Sequence, residues 1–149
     1  MDAQRRKIHG WFPKLTNSFK ITSEFNRKYN CIAWALGIDD VWWEPDSKGT
    51  YFWPPSAPRV LTIEAFILAF AYVGFVQCDH DDYEPGFEKI ALFADAVGKP
   101  THVARQLPSG NWTSKLGREE DIETETLAEL TESDYGEVVA FLRHPRESS

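Results

Sequence analysis

Hydrophobic and polar positions divide the chain into a polar front, an aromatic middle and a strand-rich back half. The clearest helical signal lies at residues 63–73, which are apolar nearly all round and predict a buried helix. Thr62 has the chemistry of its N-cap and Gly74 of its stop. A shorter run, Cys31-Ile32-Ala33-Trp34-Ala35-Leu36-Gly37, predicts a short helix that starts at or beside the Cys and ends at the Gly. Behind Gly74 the pattern changes to short runs bounded by turn residues. Strands are predicted at 75–78, 88–93, 101–107, 111–116 and 137–143, with a short helix near 126–133.

Pro108-Ser109-Gly110 joins two of these strands as a hairpin loop. With Gly110 left-handed, the loop pairs Leu107 with Asn111 and Ala104 with Ser114. Ser114 then shares a face with His102. A two-residue Ser109-Gly110 turn would shift the register by one and bring Thr113 and Lys115 to that face instead. Residues 118–125 are densely charged and predict an exposed segment. Residues 1–28 are polar and read as an irregular arm, with Trp11-Phe12-Pro13 anchoring it on the surface. Residues 38–60 carry Trp42-Trp43-Glu44-Pro45 and Tyr51-Phe52-Trp53-Pro54-Pro55, where Pro breaks any long element. A loop with that many rings covers either the core or a substrate cleft, so Trp42, Trp43 and Trp53 are candidate cleft walls. Helices first, then mostly antiparallel strands, define an α+β domain.

Length and charge narrow the function. The 149 residues fit one domain, 1–149, with a core at 29–144, and a chain of this size buries roughly 70% of its unfolded surface. The net charge of −7, from 16 basic and 23 acidic residues, argues against nucleic acid and anionic membrane as partners. The run Arg5-Arg6-Lys7 is too short to reverse that sign. Two Cys make no disulfide framework, no secretory signal is visible, and the longest apolar stretch is too short to span a bilayer. The expectation is a cytoplasmic protein, with non-classical export left open.

The candidate chemistry centres on Cys31 and His102. A thiol at a helix start feels unsatisfied backbone N–H groups, which favour thiolate. A His opening a later strand supplies a general base, the layout of thiol catalysis. The same residues also fit an inert core thiol and a strand histidine. Ser114 is a candidate to orient His102, and Asp121 a substitute if the segment 118–123 folds back. Backbone N–H of Cys31 with Asn26 or Asn30 would form an oxyanion hole, although both Asn also suit turns or caps. Cys78, His80, Asp81 and Asp82 lack the spacing of a zinc site and form no EF-hand loop, so no metal and no cofactor is expected.

These segments resemble the NlpC/P60 branch of the papain-like superfamily. Asn30-Cys31-Ile32-Ala33-Trp34-Ala35 fills the place of that family's nucleophile helix, with Asn30 where an acidic residue is usual. His102-Val103-Ala104-Arg105-Gln106, followed by Pro108-Ser109-Gly110, fills the place of its His strand and hairpin. Tyr-Asn-Cys-Ile-Ala-Trp-Ala and Thr-Ser-Lys-Leu-Gly blocks also resemble a family of bacterial proteins of unknown function. The first resemblance implies a papain-like fold, N-terminal helices packed on an antiparallel sheet. It also implies a cysteine peptidase, amidase or deamidase acting on a peptide or amide substrate, possibly a protein. Ser114 falls where the family has His, Asn or Gln. A binding module that kept the fold and lost the chemistry is the competing reading, and a toxin-type effector modifying a protein target is a third.

Overall fold

The architecture follows from one strand that is apolar on both sides. In β3 (Phe87–Ala94) every residue from Lys89 onward is buried. Ile90 and Leu92 enter one hydrophobic cluster, and Ala91 and Phe93 enter another. Successive side chains of a strand point to opposite faces, so both faces of this sheet are covered. The computed structural model describes residues 3–16, 18–23, 30–36, 42–116 and 120–146.

The remaining strands are β1 (Lys20–Ser23), β2 (Val76–Cys78), β4 (Pro100–Gln106), β5 (Trp112–Lys115), β6 (Asp121–Thr124) and β7 (Glu137–Pro145). They form one antiparallel sheet in the order β1-β6-β5-β4-β3-β7-β2. Helices α2 (Cys31–Ala35) and α3 (Ile63–Tyr72) cover one face together with Trp43 and Trp53. Helix α1 (Ala3–Trp11) and a 3-10 turn at Leu127–Leu130 cover the other. The α+β class is thus the observed one. No helix among the described residues is long and apolar enough to cross a membrane.

Local chemistry sets most boundaries where the pattern put them. The Thr62 hydroxyl accepts from the Ala65 N–H and starts α3, and Gly74 ends it at φ +95°. The hairpin takes the three-residue form. Gly110 has φ +91°, Leu107 N–H donates to Asn111 carbonyl at 2.7 Å, and Arg105 pairs with Thr113. Continued inward, that register sets Ala104 against Ser114.

Two segments differ from the pattern. The front is not irregular, since it contains α1 and β1. In α1 only Ile8 is buried, too sparse a stripe to register as a period. The charged segment is not an exposed loop either, because it contains β6, in which Asp121, Ile122 and Thr124 are buried. Asp121 lies directly opposite Lys115, which is also fully buried, so opposite charges face each other inside the sheet.

The acidic loop at 79–86 is largely exposed, and it closes over a buried cation. Lys89 has no exposure and donates to the carbonyls of His80 and Asp82 and to the Glu84 carboxylate at 2.8 Å. A buried ammonium is tolerable only with its donors satisfied.

Candidate active site

The nucleophile candidate is placed by Asn30. Its side-chain oxygen accepts from the N–H groups of Ala33 and Trp43, both at 3.2 Å, and its amide donates to the Trp43 carbonyl. The first pair of atoms caps α2; the others tie the helix start to the aromatic loop. Asn30 therefore serves as cap and tie, and the second N–H of its amide, which these bonds do not use, belongs to a residue bordering the cleft. Asn26, the other oxyanion candidate, lies outside the described residues.

Cys31 opens α2 and is half-buried. Its thiol is pushed up to about 11, because packing strips it of water; hydrogen bonding from the Val103, Ile32 and Cys31 backbone and the nearby Lys115 charge oppose that only in part. The expected thiolate is not the resting state. Helix-end electrostatics is worth roughly 0.3–1 kcal/mol, less than the cost of ionising a thiol packed away from water. In a five-residue helix, burial wins.

His102 sits on β4 with 2% exposure. Phe93 is its partner across β3 and Val103, its neighbour, faces α2, so the ring projects toward the α1 side. There it lies flat on Tyr135, with centroids 4.0 Å apart and planes 5° apart. Neither ring nitrogen has a hydrogen-bond partner among the described residues. Burial alone lowers the imidazole to about 3, so it is neutral at any ordinary pH.

Cys31 and His102 start from opposite faces of the sheet and still border the same spaces. Both border a cleft of about 680 Å³ and a second cavity of about 300 Å³. The Val103 backbone, one residue from the imidazole, is the strongest influence opposing the rise of the thiol. No hydrogen bond joins the thiol to the ring.

The orienting candidates fare differently. Ser114 is buried on the His102 face, as the hairpin register requires, but its Oγ bonds neither His102 nor any other described group. Asp121 faces Lys115, on the α2 side of the sheet, and so cannot orient a ring on the α1 side. What holds the imidazole is Tyr135. Its carbonyl accepts from Thr101, and Gly136 behind it has φ +77° and would bring a Cβ to 2.1 Å from the Ala94 carbonyl oxygen. Sequence reasoning missed Tyr135. The available signal was Asp134-Tyr135-Gly136 as a turn leading into the last strand.

Of the three tryptophans, only Trp42 lines the cleft, its Nε1–H donating to Glu44 at 3.2 Å. Trp43 and Trp53 are core residues. Trp43 packs edge-on against Phe52, and Trp53 packs on Phe66 while donating to the Pro58 carbonyl. Val60 and Leu61 complete the apolar side of the cleft, and Arg59 is paired with Asp46 at 3.0 Å. Among the described residues no group of His, Cys, Asp or Glu is arranged to hold a metal ion.

Residues 20–143 match the model of a family described as "Domain of unknown function (DUF7689)". No curated protein and no solved structure matches the chain.

Proposed function

The chain belongs to the DUF7689 family, and from the geometry of its cleft we propose that it is a papain-like thiol hydrolase of amide or peptide bonds. The observation that carries this is a single one. A thiol at a helix start and a buried imidazole with two unpartnered nitrogens border the same cleft. A buried polar group left without a partner is costly, and in a cleft wall it marks a place where a reacting group can bond.

The resting pair is uncharged. With burial pushing the thiol up and the imidazole down, moving the proton between them at rest is uphill. Cys31 therefore gives up its proton only as it attacks. The S–C bond forms, the thiol proton passes to His102, and the carbonyl oxygen takes the negative charge. The C–N bond then breaks, and the imidazolium returns that proton to the leaving nitrogen. Water hydrolyses the thioester in the second half, its proton passing through His102, and restores the thiol. A substrate's polar atoms in the cleft replace part of the lost solvation and draw the two groups toward reactive values.

A binding module is the second reading, supported by the uncharged pair, by the lack of a hydrogen bond between Ser114 and His102, and by the apolar walls at Trp42, Val60 and Leu61. Amine release from a panel of N-acyl amides and peptides separates the two. The hydrolase reading expects turnover of some member, abolished in Cys31→Ala and reduced by about 10²-fold or more in His102→Ala. Binding of panel members without turnover, unchanged by either substitution, would leave the module.

A further inference from the structure

The pair at the cleft floor also borders the second cavity. Trp11, Phe12, Leu116 and Tyr135 wall that cavity, Asp134 lies on its rim, and Cys31 and His102 are shared with the larger cleft. Phe12 and Leu116 belong to the cluster on the α1 face, and Tyr135 packs against it, whereas Cys31 packs against the cluster on the α2 face. The two cavities thus approach one pair of groups from the two sides of the sheet.

Resting on the hydrolase reading, we infer that the smaller cavity is the subsite for the amine half of the scissile amide, and that it takes an aromatic or compact apolar side chain without a free carboxylate. The direction follows from proton delivery. His102 must reach the leaving nitrogen, and its ring projects toward the α1 side, so the departing amine lies there and the acyl half lies in the larger cleft. The side-chain class follows from the walls, three aromatic rings and a leucine, with Phe12 and Tyr135 at 5.1 Å between centroids. The volume of about 300 Å³ is at the lower end for ligand sites and suits one side-chain-bearing unit. The exclusion of a carboxylate follows from Asp134, which is exposed and repels a second negative charge at the rim. The substrate is accordingly a chain cut internally, or an amide of an uncharged or cationic arylalkyl amine.

L-phenylalaninamide, L-phenylalanine and L-alaninamide titrated into the full chain test this, followed by the indole N–H resonances of Trp11 and Trp42. The expected result is a saturable shift at Trp11 with phenylalaninamide, little change at Trp42, and binding weaker by about threefold or more for each of the other two. Asp134→Asn, an exposed substitution, should narrow the gap between phenylalaninamide and phenylalanine, and Leu116→Trp should remove binding by filling the cavity. Because Leu116 is buried, Trp11→Ala serves as a second cavity variant; it lacks the reporter indole, so its binding is followed by calorimetry and should be weaker than that of wild type. The shift reports binding and not turnover, so the subsite is read independently of catalysis. No saturable shift at Trp11, a shift at Trp42 in its place, or equal affinity for phenylalanine would overturn the inference. Binding at Trp11 by a protein that hydrolyses no amide would keep the pocket and remove the hydrolase reading.

Discussion

At the scale of single residues, burial decides what Cys31 and His102 are. Their types and positions were legible, because a Cys before a short apolar run and a His opening a strand stand out locally. Their charge states were not, since desolvation comes from α2, β4 and Tyr135 packing together, elements distant in sequence. The same holds for Asn30, whose cap role was readable but whose tie to Trp43 spans a loop. The histidine carries a pH signature. Its folded value, about 3, lies below the unfolded one near 6.5, so the unfolded chain takes up the proton first as pH falls. The stability that neutral His102 contributes is complete above about pH 6.5 and drains away toward pH 3. Urea unfolding from pH 7 to 4 should therefore show wild type losing up to about 1.4 kcal/mol per unit more than His102→Leu. Parallel pH profiles for the two proteins would mean that the ring is hydrated and titrates normally.

Secondary-structure elements were legible in proportion to how local their causes are. α3 has a cap, a stop and an apolar run, and the hairpin has Gly110, so both were placed to within a residue or two. β6 was missed because Asp121 and Glu123 looked solvated, while the partner that makes Asp121 tolerable inside, Lys115, sits on another strand. α1 was missed because Ile8 is its one buried residue among those described. The turn into β7 is the element the site depends on most, because it sets Tyr135 over His102. Ala at Gly136 must take a left-handed φ and push against the Ala94 carbonyl, whereas Ala at Gly110 meets open space. Gly136→Ala should therefore cost at least about 1–3 kcal/mol more than Gly110→Ala in urea melts. Equal costs for the two would show that β7 can shift freely and that the Tyr135 stack is not held by this turn.

For the whole molecule, the order of helices and strands was enough to read an α+β domain, but not a sheet covered on both faces. That second layer arises because the chain front folds back as α1 and β1 over strands from the far end. The consequence is a thiol reaching the sheet from one side and an imidazole from the other, both bordering the same two cavities. The molecule carries a net charge of −7, and its cleft has Glu44 and Asp46 beside the apolar Trp42, Val60 and Leu61, a setting unfavourable to a polyanion. The central claim, that Cys31 attacks with His102 taking its proton, is tested most directly by intact-protein mass spectrometry with p-nitrophenyl acetate at neutral pH. A thiol held near 11 acylates slowly unless a base assists it, which makes dependence on His102 diagnostic. The account predicts a single acetyl group on Cys31, formed about 10²-fold more slowly or worse in His102→Ala, with Cys78 acetylation unchanged. Cys31 acetylating at the same rate with and without His102 would contradict it.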